Sequence, residues 1–145
     1  MASAGQSKRK RILFLCTGNS CRSQMAEAIV NSRASDAWVA LSAGTRPAGF
    51  VHPLALRALQ EIGIDATQAR SKSVDEFRGQ DFDLVVTVCD QASEECPLWL
   101  GAGKRFHIGF PDPAKAVGSE AEVIPTFRSV RDNIETQVLE FLRTK

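Results

Sequence analysis

Hydrophobic residues along the chain form short runs that alternate with longer stretches of helical periodicity. Runs of strand length occupy residues 12–15, 38–41, 84–88 and 106–110. A helix is predicted from Pro53 to Gly63, with Leu56, Leu59 and Ile62 on one side. The last helix has its inward face at Phe127, Arg131, Ile134, Val138, Phe141 and Leu142. This alternation predicts an α/β protein with a mostly parallel sheet.

The size and charge of the chain restrict its class. With 145 residues and no internal repeat, we expect a flexible tail over residues 1–10 and a single domain over 11–145. A formal net charge of +1 argues against nucleic acid or a membrane surface as a partner. The first apolar run is too short for a signal peptide, which predicts a cytoplasmic protein.

The segment CTGNSCRS at 16–23 carries the strongest chemical signal. It follows the first apolar run and precedes a helix-forming stretch, and five residues separate Cys16 from Arg22. A tight loop at this place can hold a tetrahedral oxyanion through inward amides, the positive end of the helix and the Arg22 guanidinium. The same field favours the thiolate of Cys16 as a nucleophile. The predicted oxyanion-binding residues are Thr17, Gly18, Asn19, Ser20, Cys21 and Arg22.

Several of these residues also have plainer interpretations. Cys16 could be a structural cysteine and Arg22 a member of a surface salt bridge. Gly18 is expected where the backbone turns, and Asn19 as loop scaffolding that tolerates a left-handed conformation. The Ser23 hydroxyl can donate to the Cys16 sulfur or cap the following helix, and both roles can coexist.

Two further groups follow predicted strands and should reach the same edge of the sheet as Cys16. Asp112, held between Pro111 and Pro113, is a candidate general acid, the alternative being a turn residue. Cys89 follows the third strand and is separated by six residues from Cys96.

The four cysteines of this chain are more consistent with redox chemistry than with a disulfide framework. Cys89 and Cys96 are candidate redox thiols, with small buried hydrophobes as the alternative. Cys21 is expected to be packed beneath the loop. No zinc site is predicted, because there is no C-x2-C pair and His52 and His107 lie at no ligand spacing to the thiols.

Four motifs together resemble the thioredoxin-coupled arsenate reductases, relatives of the low-molecular-weight protein tyrosine phosphatases. They are CTGNSCRSQMAEA from position 16, SAG at 42–44, VVTVCDQASEECP at 85–97 and GFPDPA at 109–114. The resemblance implies a three-layer fold, in which a four-stranded parallel sheet of flavodoxin-like order 2-1-3-4 has helices on both faces.

The resemblance also implies a reaction. Cys16 would attack arsenate, Cys89 would attack Cys16 and release arsenite, and Cys96 would then take over the disulfide. Thioredoxin, recycled by NADPH through its reductase, would reduce the Cys89–Cys96 pair without a bound cofactor. The alternatives are a low-molecular-weight protein tyrosine phosphatase, in which water hydrolyses the cysteine adduct, and an inactive oxyanion-binding module.

One segment departs from relatives that bind potassium beside the loop. Asn19 and Ser42 are similar to those relatives, but Arg70, Ser71 and Lys72 stand where they place a threonine and a carboxylate. With no carboxylate to offset repulsion from Lys72, we predict that no metal binds and that the lysine itself steadies the loop.

Overall fold

The structure, a computed structural model, describes residues 9–89 and 104–145. Within those ranges a four-stranded parallel sheet has the order β2-β1-β3-β4. This confirms the predicted α/β class and strand order. The strands are β1 (Lys10–Cys16), β2 (Trp38–Gly44), β3 (Leu84–Thr87) and β4 (Lys104–His107). The α-helices of the described ranges are α1 (Arg22–Arg33), α2 (Pro53–Gln60) and α3 (Glu120–Arg143).

Strand β1 lies inside the sheet, between β2 and β3, and its apolar run is buried. It pairs with β2 up to Cys16 opposite Gly44, and with β3 up to Leu15 opposite Thr87. Residues 12–15 have no exposed surface. A continuous apolar run, rather than an alternating one, is what a strand covered on both faces requires. The burial of β1 therefore fixes Cys16 at the end of the innermost strand.

The helices begin where their sequences provide caps. The His52 side chain accepts a hydrogen bond from the Leu54 N–H at the start of α2, and Pro53 takes the first helical position. Ser119 and Glu122 form a capping box at the start of α3. The three helices contact one another. In the described ranges, none of them is long and apolar enough to cross a membrane.

Element ends differ from the sequence-based expectation. β1 begins at Lys10, inside the predicted tail, because the Lys10 N–H donates to the Ala37 carbonyl. β4 lies at Lys104–His107 rather than at 106–110, although Phe110 N–H still bonds to the Val88 carbonyl. α2 ends at Gln60, and Gly63 follows in a left-handed conformation with φ 82°.

The inward face of α2 also differs from the prediction. Its buried residues are Ala55, Ala58 and Leu59, whereas Leu56 and Ile62 are half-buried. The small alanines let α2 approach α3, which it contacts. The predicted inward face of α3 agrees better with the structure, since Phe127, Ile134, Val138 and Leu142 are all buried.

An ion-pair cluster joins α2 to α3. The Glu61 carboxylate accepts hydrogen bonds from Arg128 Nε and Nη2, at 2.9 and 2.8 Å, and from Arg131 Nη1 at 3.1 Å. Hydrogen bonding from Arg128 is the main cause that lowers the pKa of Glu61 from 4.5 to about 2. Glu61 therefore stays ionised well into the acid range.

We predict that Glu61→Gln lowers the melting temperature at pH 7, and that this difference disappears in acid. Because the folded state has the lower pKa, the stabilisation is complete above pH 4.5 and is lost as the pH falls towards 2. Thermal unfolding of both proteins between pH 7 and pH 2 measures this difference in melting temperature. Glu140→Gln, which breaks an exposed pair with Arg143, is the control and should change little. An unchanged difference across this range would contradict the prediction.

Candidate oxyanion-binding active site

The site lies at the carboxyl edge of the sheet, where the chain leaves β1. From this edge the chain continues to β2 on one side of β1 and later to β3 on the other, so loops diverge at this point. Such a switch point forms a crevice in open α/β sheets. Cys16 ends β1, and Cys89 lies two residues beyond the end of β3.

Every carbonyl from residue 16 to residue 21 accepts a hydrogen bond from a donor outside residues 16–22. The Gln24 side chain donates to the carbonyl of residue 19, and the other carbonyls accept from the backbone N–H groups of Thr45, Arg46, Ala48, His52 and Met25. The Ser71 hydroxyl donates as well, to the carbonyl of residue 18 at 2.9 Å. Because a trans peptide points its C=O and N–H in opposite directions, the six following amides face the inside of the loop.

The loop bends over residues 17–21, and its left-handed residue is Asn19 rather than Gly18. Asn19 has φ 50°, in the left-handed region, whereas Gly18 has no positive φ. Asparagine tolerates this conformation better than most residues because its short side chain bonds locally. Gly18 lies within the bend of residues 17–21, as expected, and the left-handed conformation expected of Asn19 is observed. Behind the loop, α1 begins at Arg22 with no acidic residue in its first turn.

The Cys16 thiol lies at the bottom of the loop and is 2 % exposed. Its sulfur accepts a hydrogen bond from the Asn19 N–H at 3.2 Å and lies 2.9 Å from Ser23 Oγ. Ser23 does not cap α1, because the cap position is Cys21 and no side-chain cap is present. Of the two predicted roles of Ser23, only the contact with sulfur is observed.

Arg22 and Asp112 meet across the cleft. Arg22 Nη2 lies 3.6 Å from Asp112 Oδ2, and Nη1 donates to the Phe110 carbonyl at 3.2 Å. Arg22 Nε is buried and has no hydrogen-bond partner among the described residues. A buried donor without a partner is costly, and an anion in the loop would supply the missing acceptor. Arg22 thus lies in the cleft rather than in a surface salt bridge.

The second thiol lies on the wall of the same cleft. Cys89 is 5 % exposed, and its sulfur is 3.3 Å from Thr17 Oγ1. The cleft has a volume of about 680 Å³ and is lined by Thr17, Gly18, Arg22, Cys89, Gly109, Phe110, Pro111, Asp112 and Lys115. Cys16, Arg22, Cys89 and Asp112 therefore come together at one edge, whereas Cys96 lies outside the described residues.

Asp112 and Cys21 have local surroundings that bear on their roles. Asp112 Oδ1 accepts from the Ala114 N–H at 3.0 Å, so Asp112 caps the short 3-10 helix Pro113–Lys115 while its other oxygen faces Arg22. Cys21 is buried beneath the loop, and burial, with the Asp112 charge second, raises its pKa to about 12. Cys21 therefore remains a neutral thiol, as its predicted packing role requires.

The side of the loop opposite the cleft contains a carboxylate that the sequence-based prediction missed. Lys72 Nζ lies 3.7 Å from Glu27 Oε1, and the Ser42 hydroxyl donates to the same carboxylate oxygen. The expectation that no carboxylate offsets Lys72 is wrong. Glu27 precedes Lys72 by 45 residues and reaches it from α1, a contact that local sequence does not reveal. The lysine is paired with this carboxylate, and its ammonium also contacts the Arg70 carbonyl.

Two other residues at the loop were assigned no role there by the sequence-based prediction. Gln24 is 3 % exposed and donates to Asn19. The backbone N–H of His52 donates to the Ser20 carbonyl. The His52 ring lies 4.7 Å from the tilted ring of Phe127, and burial lowers the pKa of His52. Both act through tertiary contacts, so spacing in the sequence gives no signal for them.

The fold and the site define an α/β protein with a buried cysteine at the bottom of a loop at the carboxyl edge of a parallel sheet. Residues 11–145 match the family described as low molecular weight phosphotyrosine protein phosphatase, and the chain belongs to this family. It is 46 % identical to the arsenate reductase of Halalkalibacterium halodurans over 136 residues, which cover 94 % of this chain and 97 % of that protein. It is 44 % identical to the arsenate reductase of Bacillus subtilis, covering 94 % and 98 %.

A solved structure described as an arsenate reductase in the phosphate binding state is also similar. It superimposes with a TM-score of 0.79 at 27 % identity, covering 93 % of this chain and 98 % of the other. The shared fold extends over nearly the whole of both chains.

We predict that Gly44→Ala destabilises the protein and disrupts the loop. A Cβ atom at Gly44 would lie 2.6 Å from the Thr17 carbonyl oxygen and 3.1 Å from Asn19, so backbone must move. We expect a loss of about 1–3 kcal/mol in the free energy of unfolding, measured by urea denaturation. At Gly18 the nearest atom to a new Cβ is 3.6 Å away, so Gly18→Ala is the control and should keep its stability. Equal stability of the two variants would contradict this account.

We further predict that potassium does not stabilise this protein specifically. Lys72 already supplies a positive charge to Glu27, and a cation entering there would be repelled. Melting temperatures in potassium, sodium and choline chloride at matched ionic strength should be equal. Lys72→Asp should create a potassium-dependent rise. A rise specific to potassium in the unmodified protein would refute the prediction.

Proposed function

We propose that this protein is an arsenate reductase that converts arsenate to arsenite through Cys16. The observation that carries the proposal is the loop itself, in which six carbonyls bond outward and the buried Arg22 Nε has no partner among the described residues. This arrangement suits a tetrahedral oxyanion. Relatives at 46 % and 44 % identity that carry the name arsenate reductase support arsenate over other oxyanions.

In the first step the loop amides and Arg22 hold arsenate with its arsenic atom above the Cys16 sulfur. The thiolate attacks arsenic, a bond from sulfur to arsenic forms, and one arsenic–oxygen bond breaks. The departing oxygen needs a proton to leave as water. Asp112, which lines the cleft beside Arg22, is proposed to donate it.

The second step uses Cys89. Its thiolate attacks the Cys16 sulfur, a disulfide forms, and the electron pair of the sulfur–arsenic bond stays on arsenic. Arsenic is thereby reduced from the +5 to the +3 state and leaves as arsenite, while two thiols are oxidised. The contact of 3.3 Å between the Cys89 sulfur and Thr17 Oγ1 supports this step, because it holds Cys89 beside the loop.

The third step transfers the disulfide outward. Cys96 attacks the Cys89 sulfur, Cys16 leaves as a thiolate, and a Cys89–Cys96 disulfide forms. We propose that thioredoxin reduces this disulfide, with NADPH as the electron source through thioredoxin reductase, and that no cofactor is bound to the protein. The proposed location is the cytoplasm, and the proposed role is arsenic detoxification.

Phosphatase activity is the second candidate, since the family is described by that activity. After Asp112, however, the residue lining the cleft is Lys115, an exposed cation, which offers no aromatic surface to a phosphotyrosine ring. We therefore propose weak aryl phosphate hydrolysis at most. NADPH oxidation coupled to thioredoxin and arsenate, compared with hydrolysis of an aryl phosphate, separates the two activities.

We predict that Cys16→Ser, Cys89→Ser and Cys96→Ser each abolish repeated turnover with thioredoxin. Cys16→Ser should release no arsenite, whereas Cys96→Ser should release one equivalent and keep a Cys16–Cys89 disulfide. Arsenite quantification and mass mapping of disulfides after one exposure to arsenate measure both results.

Cys21→Ser is the matched control, because Cys21 is a neutral buried thiol in the same loop. It should retain most of the activity. Absence of the Cys16–Cys89 disulfide in Cys96→Ser would overturn the relay order. Hydrolysis of an aryl phosphate without any arsenate-dependent NADPH oxidation would replace the proposed function with the phosphatase.

A further inference from the structure

Gln24 occupies the first turn of α1 directly behind the oxyanion loop and is almost completely buried. Its amide nitrogen donates to the Asn19 carbonyl at 3.2 Å, to Asn19 Oδ1 at 2.9 Å and to the Arg70 carbonyl at 2.8 Å. Two of these acceptors are backbone carbonyls, which can only accept. The orientation of the Gln24 amide is therefore fixed by the backbone.

The Asn19 side chain is oriented in turn. Its Oδ1 accepts from the backbone N–H of Lys72 at 2.9 Å as well as from Gln24. Its Nδ2 consequently faces the other way and donates to Ser23 Oγ at 2.8 Å and to Ser42 Oγ at 3.0 Å. Ser42 uses its own hydrogen on Glu27, so Ser42 does not compete as a donor.

This chain of contacts determines the direction of the hydrogen bond at the nucleophile. Because Ser23 Oγ accepts from Asn19, its hydrogen is available for the Cys16 sulfur 2.9 Å away. A hydroxyl that donates to sulfur favours the thiolate over the thiol. If the Asn19 amide turned over, its Oδ1 would face Ser23 and attract that hydrogen away from sulfur.

We propose that Gln24 is a positioning residue that keeps Ser23 a donor to Cys16. Gln24 is suited to this role because it binds Asn19 directly and also holds the Arg70 carbonyl, which precedes the Lys72 donor by two residues. Gln24 is thus one of the two donors to Asn19 Oδ1 and holds the backbone two residues before the other donor. The proposal rests on the proposed function only in taking Cys16 as the nucleophile.

The test is the rate at which iodoacetamide alkylates Cys16 in the reduced full-length protein, as a function of pH. Tandem mass spectrometry distinguishes Cys16 from Cys21 within the same peptide. Gln24→Glu has nearly the same shape but, when ionised, cannot donate to Asn19 or Arg70. We expect about tenfold slower alkylation at pH 7, with an unchanged plateau rate at high pH where the thiol is fully ionised.

Gln68→Glu is the matched control for charge. Gln68 is exposed and lines the same groove beside α1 as Gln24, so the substitution adds the same charge nearby without touching Asn19. It should leave the pH profile unchanged. Gln24→Met, which removes the donor without adding charge, should shift the profile in the same direction as Gln24→Glu and serves if the latter does not fold.

Identical pH profiles for the parent protein and the Gln24 variants would overturn the proposal. An equal loss of rate at every pH, plateau included, would assign Gln24 a purely structural role and overturn it as well. The readout does not use arsenate. If the unmodified protein fails to reduce arsenate while the Gln24 variants still shift the alkylation profile, the proposed function is refuted and the positioning role of Gln24 stays supported.

Discussion

The outward hydrogen bonding of the loop carbonyls is the constraint on which this site depends. Donors from the segment after β2, from the start of α2, from α1 and from Ser71 hold these carbonyls, and the inward direction of the amides follows from peptide geometry. Residues 16–22 could not keep this shape alone, because the donors that hold their carbonyls come from other parts of the chain. The rest of the domain is thus a scaffold that stabilises an anion site.

The sheet topology explains why a second thiol is near the first. Because β1 and β3 are parallel neighbours, the segments that follow them leave the same edge of the sheet. Cys16 at the end of β1 and Cys89 shortly after β3 therefore lie at the same edge, where Cys89 contacts Thr17, although 72 residues separate the two cysteines. A hydrolytic enzyme needs only the first of these positions. A thiol at the second position is what the proposed disulfide relay requires.

The parts of this structure that the sequence predicts are those set by local pattern. The continuous apolar run at residues 12–15 predicts a strand, and the spacing of Cys16 and Arg22 between that strand and a helix predicts the loop. The pairing of Lys72 with Glu27 and the contacts of Gln24 escape prediction, because they join side chains distant in sequence. The predicted end of β4 is also wrong. Residues 108 and 110 are apolar, so they continue the strand pattern of the sequence, and their N–H groups still bond to the segment of β3 although β4 ends at His107.

Two thiols in one loop experience different surroundings, and this difference bears on which of them is suited to the proposed nucleophilic attack. Cys21 is desolvated beneath the loop, and its ionised form is further opposed by the Asp112 charge, so its pKa rises to about 12. The Cys16 sulfur instead accepts the Asn19 N–H and contacts the Ser23 hydroxyl. Cys16 therefore has hydrogen-bonding groups beside its sulfur, whereas burial and the Asp112 charge outweigh the Ser20 hydrogen bond at Cys21 and keep that thiol neutral. Of the two cysteines in the loop, Cys16 is therefore the one whose surroundings suit the proposed attack on an anion.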